Sequence, residues 1–148
     1  MDKSIFNKEN IWFDHKSATQ EEAFKFLAQH VTKLGYANSI EGFNQGLIDR
    51  EKESTTGFKN GIAIPHSNNE SVLKPGLFVV KFDNDIEWNA LDKKPIKVAI
   101  ALSIPKNGAK EHLRLLSKIA RKLMDEEFTK KILENDNPDI LAETINEI

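Results

Sequence analysis

The segment from Ile96 to Ile104 most constrains what this chain can fold into. Ile96, Val98, Ile100, Leu102 and Ile104 alternate with smaller or polar residues such as Ala99, Ala101 and Ser103. That period of two marks a β-strand packed beneath helices. Leu77 to Phe82 reads as a second strand, apolar on both faces and therefore central. Strands without a wet face need layers of other structure on both sides.

The rest of the chain supplies the layers. Thr19 with Glu22 three residues on forms a capping-box pattern. Phe24, Leu27, Ala28, Val31 and Leu34 then recur at helical spacing until Gly35 stops them. A second helix starts near Ser39, carries Ile40, Phe43 and Leu47 on one face, and ends before the Ser54-Thr55-Thr56-Gly57 loop. Asn10 to Phe13 predicts a short first strand, and Gly61 to His66 an extended segment that Pro65 terminates. The last third is helical. Leu116, Ile119 and Leu123 form the buried stripe of a helix over about 109–124, Asp125 caps a continuation through Phe128 and Ile132, and Asn137-Pro138 opens a final helix. The expected fold is α/β: a single domain over 1–148, with a mixed sheet of four or five strands flanked by helices.

Composition narrows the function classes. With 148 residues, 39% of them apolar and 30% charged, the chain has material for one core. A domain of that size buries about 70% of its unfolded surface, so no staple is required. The longest apolar run, Val98 to Leu102, is far short of the roughly 20 residues that span a bilayer, which excludes a permease. Twenty-one basic and 23 acidic residues are interspersed, leaving no footprint for nucleic acid or an anionic membrane. Cysteine is absent, and the first ten residues hold no apolar leader core. Both features suit a cytoplasmic protein and remove thiolate chemistry.

Among the four histidines, His15 and His30 are expected on the solvated surface. His66 differs: Pro65 stiffens the approach to it, Ile62 and Ile64 anchor the segment, and polar loop residues follow. Its imidazole is expected at a strand end, where either a structural or a reactive role fits. His112 continues the stripe of Leu116, Ile119 and Leu123 into the first turn of its helix, a place that favours the neutral ring. It is a core histidine or a hydrogen-bond donor to a site. Arg50 ends the stripe of Phe43 and Leu47. Its guanidinium either snorkels to water or is aimed at an anion. A metal site built on His66 and His112 would have two ligands where catalytic zinc typically takes three.

These residues, in their order, resemble a known family. Gly61-Ile-Ala-Ile-Pro-His66 is similar to the active-site signature of the enzyme IIA (EIIA) components of the bacterial sugar phosphotransferase system, of the fructose/mannitol type. Arg50-Glu51 precedes it. Ile86-Glu87-Trp88, the Leu91-Asp92 turn, the strand from Ile96, Glu111-His112-Leu113 and Leu116 to Ala120 follow in family order. The resemblance implies the mannitol/fructose EIIA fold and a phosphoryl carrier. His66 would accept the phosphoryl group from phospho-HPr and pass it to an EIIB that serves a membrane EIIC. His112 would hydrogen-bond the first histidine or its phosphoryl group, and Arg50 would supply charge. No cofactor is implied, and no nucleotide-binding glycine loop is present. Without cysteine the chain is not itself the cysteine-phosphorylated EIIB, and 148 residues leave EIIB and EIIC to separate chains. Ile86-Glu87-Trp88 inclines the reading to the fructose branch. A nitrogen-type regulatory EIIA, working through phosphorylation-dependent binding, is the alternative. Ser67 and the 55–59 loop depart from the usual pattern. Lys59 is expected to add charge near the anion, and Phe58, Ile62 and Trp88 are candidates for an apolar docking rim, with Trp88 better suited to the core.

Overall fold

The computed structural model describes residues 1–148 and every side chain but that of Ala109. After a 3-10 turn at Lys8–Asn10, β1 (Ile11–Asp14) leads into α1 (Gln20–Lys33) and α2 (Ile40–Glu53). Four strands follow: β2 (Ile62–Ala63), β3 (His66–Ser67), β4 (Gly76–Ile86) and β5 (Ile96–Ser103). Helices α3 (Ala109–Lys122), α4 (Glu126–Glu134) and α5 (Pro138–Ile145) close the chain. The expected α/β architecture is present as a five-stranded mixed sheet. β4 and β5 run antiparallel at its centre, β1 pairs parallel with β4, and β2 and β3 pair parallel with β5.

Side-chain alternation divides the interior into two layers. Phe78 and Val80 of β4, with Ala99 and Ala101 of β5, face α1 and α2, where Phe24, Leu27, Val31, Phe43 and Leu47 pack on them. The intervening Leu77, Val79, Val98, Ile100 and Leu102 face α3, α4 and α5 through Ile119, Leu123, Phe128, Ile132, Leu141 and Ile145. The small side chains of β5 make room for aromatic rings: Ala101 pairs directly with Phe78 across the ladder. Each such apolar side chain contributes roughly 1.5–3 kcal/mol on full burial.

Local chemistry places the helix ends. Thr19 accepts from Glu22 N at 3.2 Å, and Glu22 returns a carboxylate to Ala18 N at 2.9 Å. At the far end of α1 the amides of Gly35 and Tyr36 donate to the carbonyls of Thr32 and Val31. That Schellman closure requires the left-handed φ of +87° that Gly35 adopts without strain. Ser39, Asp125 and Asn137 cap α2, α4 and α5 as their positions in the sequence suggest.

Pro65 does not end the extended segment. Ile62 pairs with Val98, Ala63 with Ala99, His66 with Leu102 and Ser67 with Ser103, one unbroken register. Proline removes a donor but keeps its carbonyl, which accepts from Leu102 N at 3.0 Å, so the strand pauses and resumes. His66 therefore hangs on the sheet edge instead of lying beyond it. β4 also runs past Phe82 to Ile86 through the exposed Asp83, Asn84 and Asp85, with a register irregularity there.

Candidate active site

The site is built where the sheet edge meets the last turn of α2. Burial of Phe43 and Leu47 turns the following Arg50 toward β3. Arg50 Nη1 donates to the Ser54 carbonyl at 2.9 Å, a cation answering the C-terminal end of its own helix. Its neighbour Glu51 takes the Thr56 amide at 2.8 Å and the Thr56 hydroxyl. Trp88 Nε1 donates to that same hydroxyl at 3.0 Å. Thr56 in turn accepts the Ile64 amide at 2.9 Å, so the 54–57 loop is tied to the segment carrying His66.

The two ring nitrogens of His66 have different partners. Its Nδ1 lies 3.0 Å from the Ile64 carbonyl oxygen. A carbonyl only accepts, so Nδ1 carries the proton of the neutral ring and Nε2 keeps its lone pair. Arg50 Nε donates to that Nε2 at 3.2 Å. The ring is 9% exposed, recessed rather than standing at an open rim. Burial holds its pKa below the usual histidine value, and the Arg50 charge pushes the same way, against the Ile64 hydrogen bond and the Glu53 carboxylate. Burial and the Arg50 charge both favour the neutral ring near neutral pH, a form that can act as a nucleophile without a base.

A cleft of about 280 Å³ opens onto this pair. Ligand pockets run from about 300 to 1,000 Å³, so this one suits a small group better than an enclosed sugar. α2 gives it Arg50 with the exposed carboxylates Asp49 and Glu53, while Ile104, Leu113 and Leu116 form the apolar wall. Asn68 and Asn69 also line it, but their amides already donate to the carbonyls of Ile104 (3.1 Å) and Gly42 (2.8 Å). The remaining edge of the Arg50 guanidinium offers donors suited to an anionic oxygen.

The structure joins Arg50 to His66 but not His112 to either. His112 is 7% exposed, and its Nε2 lies against Gly108 in the first turn of α3, where an added Cβ would stand 2.9 Å away. It makes no hydrogen bond to His66 among the described residues; Leu113 and Leu116 are what α3 offers the cleft. Helical side chains lean toward the N-terminus of their helix, which accounts for the ring folding over that turn. Burial lowers the His112 pKa, opposed by Glu111.

Several expected neighbours lie elsewhere. Lys59 and Phe58 do not line the cleft, because the loop between Gly57 and Gly61 turns toward the Leu91-Asp92 turn: Leu91 N donates to the Gly57 carbonyl, and Asp92 accepts from Asn60 N. Ile62 is fully buried and Trp88 is 3% exposed, so neither forms a docking rim. His15 is exposed beside Asp83, as expected. His30 is only partly solvated: it is half-buried, stacked on Phe26 and bonded through Nδ1 to the Phe26 carbonyl at 2.8 Å. The sequence reading missed Ser54, Asn69 and Gly46 as parts of the site. Only Gly46 left a signal, through its spacing from Arg50.

An imidazole beside a fixed guanidinium, in a cleft at a sheet edge, suits a protein that handles a small anionic group. Comparison with known proteins gives that class its name. The family model described as "Phosphoenolpyruvate-dependent sugar phosphotransferase system, EIIA 2" matches residues 4–148. The fructose-specific EIIA component of Haloferax volcanii is 33% identical over 141 residues, covering 93% of this chain and 92% of that protein. The complex of enzyme IIAMTL and phosphorylated enzyme IIBMTL from Escherichia coli contains a fold with a TM-score of 0.81 at 25% identity, covering 97% of this chain and 98% of that one. Nitrogen regulatory protein IIA-Ntr from Neisseria meningitidis shares the fold with a TM-score of 0.88 at 22% identity, over 96% of this chain and 97% of that one. The chain belongs to the EIIA type 2 family of the sugar phosphotransferase system and is a phosphoryl carrier.

Proposed function

We propose that His66 Nε2 takes a phosphoryl group from the phosphohistidine of HPr and yields it to a cognate EIIB, serving fructose-type uptake through a membrane EIIC from the cytoplasmic side. One observation carries this reading: Nδ1 is tied to the Ile64 carbonyl while Nε2 faces Arg50 at 3.2 Å. In the transfer, the donor P–N bond breaks and its electron pair returns to the donor imidazole, while a P–Nε2 bond forms. The positive charge left on the ring is stabilised by the Nδ1–H bond to Ile64, so no base is needed. Such a reaction depends on in-line placement and on neutralising the equatorial oxygens. Arg50 does the second by exchanging a long contact to Nε2 for a phosphoryl oxygen. His112 supplies a further N–H once its ring turns from Gly108 toward the cleft, a rotamer change of the kind that docking commonly brings.

The Haloferax volcanii relative supports the fructose branch, and the Escherichia coli complex supports an EIIB as recipient. Among the described residues, no helix is long and apolar enough to cross a membrane.

Mass spectrometry after incubation with phosphoenolpyruvate, enzyme I and HPr tests the reading. The wild-type chain gains one acid-labile phosphoryl group and His66→Ala gains none. Arg50→Ala and His112→Ala label more slowly but still label. Normal labelling of His66→Ala overturns the assignment. A labelled chain that never passes its group to an EIIB cysteine overturns the transport role in favour of a regulatory one.

A further inference from the structure

Helix α2 carries two glycines where helices ordinarily avoid them. Gly42 and Gly46 lie one turn apart and in line with Arg50 one turn further on, so all three share a face. Neither has the positive φ that would call for glycine. Glycine inside a helix is unfavourable relative to alanine, so space must explain both positions. A Cβ on Gly42 would stand 2.8 Å from Ser71 Cβ. A Cβ on Gly46 would overlap the Ser67 hydroxyl and lie 2.9 Å from Asn69 Nδ2 and 3.0 Å from Ser67 Cβ. Residues 67–71 are thus pressed into a trough along α2, and the Asn69 amide fastens them there on the Gly42 carbonyl at 2.8 Å.

We infer that Gly46 is a positioning residue that sets the Arg50–His66 contact, by letting Ser67 sit against the helix backbone one turn before the guanidinium. The inference rests on the reading of His66 as the phosphoryl acceptor and adds what holds its partner in place. The Ser67 hydroxyl can rotate, but its Cβ cannot yield, because the residue is fully buried and its backbone is paired to Ser103 in the register that also holds His66 on Leu102. Its hydroxyl has no hydrogen-bond partner among the described residues, so it acts here as a shape. Any bulk at position 46 therefore moves α2 outward, and Arg50 moves with it. The tolerance is small. At 3.2 Å the Nε–Nε2 contact is already long for a hydrogen bond, so a few tenths of an ångström more weakens it.

The test reads Arg50–His66 coupling in the unphosphorylated protein: the His66 pKa by NMR, with Arg50 present and as Arg50→Gln. The Arg50 charge depresses that pKa. Coupling is expected in the wild type, reduced in Gly46→Ala, and restored in Gly46→Ala/Ser67→Gly, where the overlap is relieved. Labelling by phospho-HPr is expected to fall about tenfold or more in the single variant, as a misplaced group commonly causes, and to recover in the double variant. Ser67→Gly alone keeps the coupling. Undiminished coupling in Gly46→Ala overturns the inference. If Gly46→Ala does not fold, the double variant decides: a double variant that is unfolded or uncoupled overturns it equally. Loss and recovery of coupling in a protein whose His66→Ala form still labels normally would sustain the trough while refuting the acceptor reading.

Discussion

At the scale of single residues, the site depends on a histidine kept uncharged by its surroundings. His66 has its pKa lowered from 6.5, chiefly by burial. The unfolded chain therefore takes up a proton before the folded one does as pH falls, and stability drops with it. The loss is absent well above pH 6.5, grows as the unfolded histidine protonates, and stops growing once the folded pKa is passed. His112 acts with the same sign, so the comparison must be between variants. Urea unfolding at pH 7.5 and at pH 5.5 should show the wild type losing more stability than His66→Gln, with the difference between the two slopes assignable to His66. An equal loss in both would mean the ring is not desolvated in the folded state.

At the scale of elements, a strand lysine closes a helix. Lys81 of β4 is 8% exposed, and its Nζ donates to the carbonyls of Ile132 (2.9 Å) and Leu133 (3.1 Å) and to that of Asn135, at the end of α4. It also pairs with Asp136 at 3.0 Å, a carboxylate largely in water. Leaving buried acceptors without donors costs about 1–3 kcal/mol each, whereas a pair with one exposed partner contributes little. Lys81→Met should therefore destabilise by about 2–4 kcal/mol in chemical denaturation. Asp136→Asn should leave the midpoint almost unchanged. The elements themselves were legible because their signals are local: Thr19, Ser39, Asp125 and Asn137 cap the helices they announce, and the alternation from Ile96 to Ile104 sorts the two layers. The resumption of pairing after Pro65 was not legible. It depends on the continuous register offered by β5, a contact remote in sequence. Arg50 and His66 were singled out from the end of an apolar stripe, the Pro65-His66 pair and the family resemblance, while the contact between them, which joins residues sixteen apart, was not legible. The His112 ring could not be placed, since helical spacing fixes the face on which a residue lies and leaves its rotamer open.

At the scale of the whole molecule, the cleft is small and has an exposed apolar edge, a place where a partner protein could dock. Leu113 is 60% exposed at its edge, an apolar side chain with no part in the core. Leu113→Asp should raise the KM for phospho-HPr several-fold while leaving kcat and the melting temperature near wild type, the pattern of a residue used only in docking. A fall in kcat alone would instead place Leu113 in the transfer step. The walls of this cleft also come from opposite sides of the sheet: Arg50 from the layer of α1 and α2, Leu113 and Leu116 from the layer of α3 to α5, and His66 from the edge between them. Neither half of the chain can make the cleft by itself. Phosphoryl uptake is consequently a gauge of intact tertiary structure, and a chain molten on either flank would fall silent while still rich in helix.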